Sequence, residues 1–217
     1  FGDPTFDYEN ALAQTTGRIV LRLADADVLP FEFGDFTDTL SQYVEELTKL
    51  TDNLRDETAE QNLQIAEHDL EAAADPTQTY VVPAPKAPVP YLNFAPLQNA
   101  LQRLREGARS FTERMNAVTK NGQSLPPGTQ TALDAVFLSL EPALTRPEGL
   151  PRRPWYKHFI YAPGFYTGYG VKTLPGVREA IEQRRWTEAD AQIRIAADTL
   201  GRFADQLNRA TAVLARP

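Results

Sequence analysis

Cysteine is absent from this chain, and methionine occurs once in 217 residues. Without cysteine the chain can form neither a disulfide framework nor a thiolate metal site. It also lacks the uninterrupted apolar run of about 18 residues that a membrane-spanning helix needs, so we expect no membrane segment in it. The sequence begins at Phe1 without an initiator methionine, and we expect it to be a piece of a longer protein.

Positive charge is also scarce, because 22 basic residues face 29 acidic ones and the net charge is -7. Nucleic acid is therefore not an expected partner, since phosphate binding needs a clustered basic surface. The sequence contains no phosphate-binding loop, no nucleophile elbow and no metal-ligand pair at helical spacing. On this evidence the chain by itself is not an enzyme.

The chain has only two histidines, His68 and His158, and they lie in different sequence contexts. His68 is in an acidic helical segment and is expected to be solvated. His158 is flanked by aromatic residues, which favours a packed, hydrogen-bonded side chain, with a role in a functional site as the alternative.

Apolar residues instead recur at intervals of three and four in four long segments, the pattern of helices that pack side by side in a bundle. The first helix is expected to open with Asp3 as its cap and Pro4 in its first turn. The last helix is expected to open with the capping pattern from Thr187 to Asp190. The four apolar stripes run from Leu12 to Leu23, Leu40 to Leu54, Phe94 to Val118 and Ile193 to Leu214.

The sequence therefore predicts an all-α helical bundle, with a shorter helix around Leu133 to Leu140 and no competing strand pattern. The acidic stretch after residue 54 is predicted to be a solvated helical extension. Residues 75–92 form a proline-rich connector, because five prolines exclude both a helix and a central strand. This connector is interpreted as a semi-rigid linker, and the alternative is a ligand for a proline-binding module.

One long irregular segment precedes the last helices. Residues 160–176, IYAPGFYTGYGVKTLPG, hold four glycines, two prolines and four aromatic rings. Tyrosine hydroxyls in such a loop can donate hydrogen bonds to a carboxylate while the rings wall a pocket. The rings can equally plug the end of the bundle, and the chemistry alone leaves both interpretations open.

Several motifs in this order resemble the carboxy-terminal part of the glutamate carboxypeptidase II family, which are zinc peptidases related to the transferrin receptor. The similar stretches are GRIVLRLADADVLPFEFGDFTDTLSQYVEEL near the start, GLPRRPWYKHFIYAP before the loop and LPGVREAI after it. The resemblance covers nearly the whole chain except residues 55–92, which we interpret as an insertion.

The resemblance implies that residues 1–217 form one domain, the transferrin-receptor-like dimerisation domain, which pairs as a homodimer. It further implies a parent that is a zinc-dependent exopeptidase of the carboxypeptidase class, membrane-anchored and extracytoplasmic (cell surface, secreted or vacuolar lumen). The protease domain, which holds the zinc ligands, and the apical domain are both absent from this chain. We therefore expect the chain to bind no zinc and to be catalytically inert.

In this family the corresponding loop leans over the protease active site and helps form the pocket for a peptide substrate. Here that loop is Gly164 to Thr173. In members that prefer glutamate, a Lys–Tyr pair receives the acidic side chain of the substrate; Tyr169 matches the tyrosine, Gly168 stands in place of the lysine, and Lys172 lies four residues on. The resemblance implies as substrate-binding residues Tyr166, Thr167, Gly168, Tyr169 and Lys172.

Two alternatives belong to other functional classes. The parent could be a transferrin-receptor-like protein with a dead protease domain, so that the chain serves only receptor or scaffold interactions. The chain could also be a freestanding helical interaction module that uses Pro76 to Pro90. Zinc-ligand residues upstream would identify a peptidase.

Overall fold

The computed structural model of the chain describes residue 2 and residues 4–75, 77–120 and 123–215. Within these ranges the fold is α-helical, with one antiparallel ribbon of two three-residue strands. The all-α prediction is confirmed. In chain order the elements are α1 (Asp7–Ala24), α2 (Phe33–Ala66), α3 (Asp69–Ala72), α4 (Ala95–Val118), α5 (Pro127–Phe137), α6 (Leu140–Ala143), β1 (Tyr161–Pro163), β2 (Val171–Thr173), α7 (Pro175–Glu182) and α8 (Trp186–Leu214).

The core lies between the two long helices α4 and α8, which pack along each other. Helices α2, α5 and α7 close around this pair because each of them has an apolar stripe. The side chains at the centre are fully buried leucines, and they fall on the three stripes that the sequence predicts for α2, α4 and α8. Among them are Leu40, Leu47, Leu97, Leu104, Leu200 and Leu207.

Phenylalanine rings join four of these helices in one cluster. Phe33 of α2 packs edge-to-face on Phe111 of α4, with ring centroids 5.2 Å apart. Phe137 of α5 and Phe203 of α8 complete the cluster, each about 6 Å from Phe33. Edge-to-face pairs contribute energy beyond the area they bury, so this cluster helps to fix the four helices relative to one another.

Helix α1 stands apart from this core. None of its residues is buried, and the predicted stripe from Leu12 to Leu23 is exposed along its length. The helix begins at Asp7, after Phe6 in the left-handed region, whereas Pro4 lies in a turn; the predicted cap Asp3 lies outside the described residues. No helix among the described residues has the length and hydropathy to cross a membrane.

The proline-rich connector lies along α2. Asn62 makes a reciprocal pair of hydrogen bonds with the backbone of Lys86, at 2.8 and 2.9 Å, and Arg55 donates to the Pro90 carbonyl. Within the connector, Val89 and Leu92 are buried. The connector is therefore held against α2 at Lys86 and at Pro90. Helix α2 itself runs unbroken to Ala66, through the first part of the 55–92 region that we interpret as an insertion.

The start of α8 differs from the predicted capping pattern. The helix begins at Trp186, with Arg185 at the N-cap position and no side-chain hydrogen bond to the first turn. Thr187 is already inside the helix and does not cap it. The carboxylate of Glu188, in the first turn, places negative charge at the positive end of the helix dipole. This carboxylate accepts two hydrogen bonds from Arg152 in a preceding loop.

Candidate functional site

The irregular segment before α7 folds as a hairpin loop, residues 161–173. Its stem is β1 paired with β2, with Tyr161 opposite Thr173 and Pro163 opposite Val171. At the top of the stem the Gly164 N–H donates to the Gly170 carbonyl across the loop, at 2.8 Å. The sequence did not predict this ribbon, because strands of three residues are too short to show a period of two.

Two glycines are required by this geometry. Gly168 has φ of +56°, in the left-handed region that a side chain makes costly. At Gly164 a Cβ atom would lie 2.1 Å from the Thr167 hydroxyl oxygen, which folds back over it. The same Thr167 hydroxyl donates to the Gly170 carbonyl at 3.0 Å, so the loop is closed from inside.

The tip of the hairpin loop, residues 165–169, presents aromatic rings to solvent. Tyr169 is fully exposed and Tyr166 is 77% exposed, while Phe165 is half-exposed and packs edge-to-face on Tyr166 at 4.7 Å. Tyr166 and Tyr169 therefore do not plug the bundle. Tyr166, Thr167, Gly168 and Tyr169 all lie on this tip, and their role in substrate binding stays a prediction.

Lys172 lies elsewhere. It is on β2, and its ammonium nitrogen is 2.7 Å from Oε1 of Glu182 on α7. Its charge is therefore held at the stem of the hairpin loop by a carboxylate. Because Gly168 has no side chain, the tip itself carries no cation.

Two residues that sequence reasoning did not single out hold the base of the loop. Arg153 and Glu179 form an ion pair in which the side chains are only 3% and 7% exposed, with nitrogen–oxygen distances of 2.7 and 2.8 Å. Arg153 also donates to the Pro163 carbonyl, and the Phe165 N–H donates to Glu179 at 2.8 Å. A signal was present, because LPGVREAI is mostly apolar and Glu179 is a charged residue within it.

A second ion pair lies beside the first. Arg152 donates two hydrogen bonds to Glu188, at 2.7 and 2.9 Å, and its guanidinium carbon is 6.0 Å from the centre of the Phe165 ring. These hydrogen bonds lower the pKa of the Glu188 carboxyl, against the opposing effect of partial burial. The same bonds raise the pKa of Arg152, so both groups stay charged at neutral pH.

His158 is packed at the start of the stem, as predicted. Its Nδ1 accepts hydrogen bonds from the N–H groups of Ile160 and Tyr161, and its ring lies 4.3 Å from that of Tyr161. Burial lowers the pKa of His158, while nearby Glu141, 3.2 Å from Nε2, partly opposes this shift. The His68 side chain is exposed, and its Nδ1 lies 2.9 Å from a carboxylate oxygen of Glu71.

The described residues offer no ligand set for zinc. In residues 4–75, 77–120 and 123–215 no three histidine, aspartate or glutamate side chains converge in a way that could hold a metal ion. The carboxylates nearest the hairpin loop, Glu179, Glu182 and Glu188, are each paired with a basic side chain.

Comparison with known proteins agrees with the motifs found in the sequence. The model of the transferrin receptor-like dimerisation domain matches residues 92–208, more than half of the chain, from α4 to within α8. The matched range includes the whole hairpin loop together with the ion pairs at its base.

Several curated relatives match nearly the whole chain in sequence. The chain is 27% identical over 214 residues to "Probable glutamate carboxypeptidase LAMP1" of Arabidopsis thaliana, a match that covers 99% of the chain and 25% of the relative. It is 24% identical over 208 residues to "Aminopeptidase NAALADL1" of Rattus norvegicus, covering 92% of the chain and 23% of the relative. A "Probable glutamate carboxypeptidase" of Arthroderma benhamiae is 26% identical over 202 residues, with shares of 92% and 23%.

The chain thus spans about a quarter of the length of these relatives. The family match confirms the resemblance seen in the motifs around the hairpin loop, and such a domain implies self-association. The chain therefore belongs to the transferrin receptor-like dimerisation domain family, as found in glutamate-carboxypeptidase-like peptidases.

Proposed function

We propose that this dimerisation domain completes the substrate pocket of a zinc-dependent exopeptidase of the carboxypeptidase class. The observation that supports the proposal is the tip of the hairpin loop, where Tyr166 and Tyr169 are exposed on a base held by buried charge. Contiguous exposed aromatic surface is typical of a site that another surface or a ligand covers.

The tip has the chemistry to contact a peptide. The ring of Tyr169 can wall a pocket, and its hydroxyl can donate a hydrogen bond to a substrate carboxylate. Because no cation stands on the tip, we do not expect it to favour an acidic terminal residue. Lys172 would have to break its ion pair with Glu182 before it could serve in that role.

We propose the zinc site, the pairing and the location for the longer protein in which such a domain occurs. In that protein a separate protease domain holds the catalytic zinc, and the dimerisation domain pairs as a homodimer. The catalytic part lies outside the cytosol. An isologous interface of the obligate type buries about 2,000 Å² or more, and a strict monomer of the full-length protein in sedimentation would contradict this assignment.

The hydroxyl of Tyr169 tests the pocket directly. In the full-length protein, Tyr169→Phe should raise KM about ten- to a hundredfold with little change in kcat, because a hydrogen bond to a charged group contributes about 1.5–3 kcal/mol. Tyr91→Phe, at an exposed tyrosine outside the hairpin loop, is the matched control. Unchanged peptide kinetics in Tyr169→Phe would remove the pocket role, and a full-length protein without peptidase activity would favour the receptor-like alternative.

A further inference from the structure

Stability alone does not explain why Arg153 and Glu179 form a buried ion pair. Moving two charges out of water costs several kcal/mol per ion, and an apolar pair of similar volume is often at least as stable. Helix α7 is buried on nearly all sides, at Val177, Ala180 and Ile181 as well as at Glu179, so an apolar residue would suit the surroundings of position 179.

The pair makes contacts that an apolar pair could not make. Arg153 donates to the carbonyl of Pro163, and Glu179 accepts from the N–H of Phe165. These two backbone groups flank Gly164, the residue at which the chain leaves β1 and enters the tip. Charge-assisted hydrogen bonds are stronger and more directional than neutral ones, so they fix the direction in which the chain leaves the stem.

The same guanidinium also faces the first ring of the tip. The Arg153 guanidinium carbon lies 5.9 Å from the centre of the Phe165 ring and 5.4 Å from that of Tyr156. Phe165 in turn packs edge-to-face on Tyr166. A chain of contacts thus runs from the buried pair to the exposed rings.

We propose that Arg153 and Glu179 are positioning residues that hold the tip of the hairpin loop in one conformation. Tyr166 and Tyr169 project into solvent, so their placement depends on the base from which the tip rises. The structural part of this inference stands alone, whereas its effect on substrate binding rests on the proposed function. Preorganisation of this kind lowers the cost of ordering a loop when a ligand binds.

A double variant separates positioning from stability. Arg153→Met with Glu179→Leu removes both buried charges and both hydrogen bonds to the loop while keeping apolar volume, so the thermal midpoint should stay close to that of the wild type. In the full-length protein, hydrogen–deuterium exchange at the Phe165 amide should become at least about tenfold faster, while exchange within α8 should not change. KM for a peptide should rise with kcat little changed.

The matched control is Glu182→Gln, at a position three residues after Glu179 on α7. This variant removes the carboxylate of the ion pair that Glu182 forms with Lys172 at the stem of the same hairpin loop. It should leave exchange at Phe165 as in the wild type. If the double variant does not fold, Glu179→Gln replaces it, because an amide oxygen still accepts from the Phe165 N–H but without charge; a several-fold faster exchange at Phe165 is then expected.

The outcomes distinguish the two proposals. Exchange at Phe165 as slow as in the wild type, in either variant, overturns the positioning role whatever the kinetics show. Fast exchange with unchanged KM supports the positioning role and contradicts the pocket role of the loop. Fast exchange with raised KM, and neither effect in Glu182→Gln, supports both.

Discussion

Helix α1 and the hairpin loop reverse the expectation that regular segments are the fixed ones. α1 is an uninterrupted helix of 18 residues with a clear apolar stripe, yet none of its residues is buried. The hairpin loop has the composition of a mobile segment, yet ion pairs at its base and stem tie it to α7. Regular local structure and fixation by tertiary contacts are therefore separate properties of this chain.

The reason lies in where each backbone finds its hydrogen bonds. A helix satisfies its own backbone groups, so α1 can form without neighbours, although an isolated helix of this length is only marginally stable in water. The hairpin loop has few internal bonds and obtains the others from Arg153 and Glu179. The loop is thus fixed by side chains that lie outside it, whereas the apolar stripe of α1 stays exposed in the described structure.

The largest expected effect is a loss of stability when the ion pair at the base of the hairpin loop is broken. Glu179→Ala removes one partner of the buried pair and leaves the Arg153 guanidinium without its carboxylate, and this should lower the free energy of unfolding by about 3–5 kcal/mol. Urea unfolding followed by circular dichroism measures the change. Glu182→Ala, which removes an exposed partner on the same helix, should cost about 1 kcal/mol or less. Equal losses in the two variants would contradict the distinction between them.

The second prediction sharpens the contrast between α1 and the core. Leu200→Ala in α8 empties a fully buried position and should lower the free energy of unfolding by about 2–5 kcal/mol. Leu12→Ala makes the same change in α1, where the side chain is 68% exposed, and should alter the stability of this chain by about 0.5 kcal/mol or less. A large loss for Leu12→Ala would mean that α1 packs on the bundle in solution.

The fold could largely be predicted from the sequence because helical stripes report burial over many residues. The stripes of α2, α4 and α8 are the core, and the connector of residues 75–92 was recognised from its prolines. The α1 stripe has the same period, and periodicity cannot tell whether a stripe is covered. The predicted cap at Thr187 was wrong because the helix begins one residue earlier, at Trp186, so that Thr187 lies within its first turn.

The candidate site could be located but not built from the sequence. Tyrosines and glycines marked the tip, and the resemblance supplied Gly168 and Tyr169. The anchoring pair was missed because Arg153 and Glu179 are 26 residues apart and meet only through the path of the hairpin loop. The ion pair of Lys172 with Glu182 likewise depends on β2 lying beside α7, which no local pattern reports.

The third prediction changes the chemistry of the tip without changing its base. Gly168→Lys in the full-length protein places a cation next to Tyr169 and should shift kcat/KM toward peptides with an acidic terminal residue, by about tenfold. Because Gly168 has positive φ, the variant should also cost about 1 kcal/mol of stability. Gly168→Gln, which carries the same backbone cost without charge, is the control. An equal shift in both variants would contradict an electrostatic origin.

The smallest effect concerns His158, which is fixed at the start of the stem. Burial lowers the pKa of His158 in the folded chain below its ordinary value of 6.5, so between these two pKa values the unfolded chain binds more protons. The contribution of His158 to stability is therefore fully present above about pH 6.5 and is lost as the pH falls through the folded pKa, at up to about 1.4 kcal/mol per pH unit. Glu141 faces Nε2 and opposes the shift, so Glu141→Gln should extend the loss to lower pH.

His158→Asn isolates this contribution, because its amide oxygen can accept the hydrogen bonds from the N–H groups of Ile160 and Tyr161 but does not titrate near neutral pH. Unfolding by urea at a series of pH values from 5 to 8 (on the order of a half-unit apart) gives the difference between wild type and variant. That difference should be flat above about pH 6.5 and should decrease toward acid. A difference that grows toward acid would mean that the imidazolium is stabilised in the fold by Glu141, and that the stem is fixed by an ion pair at this point as well.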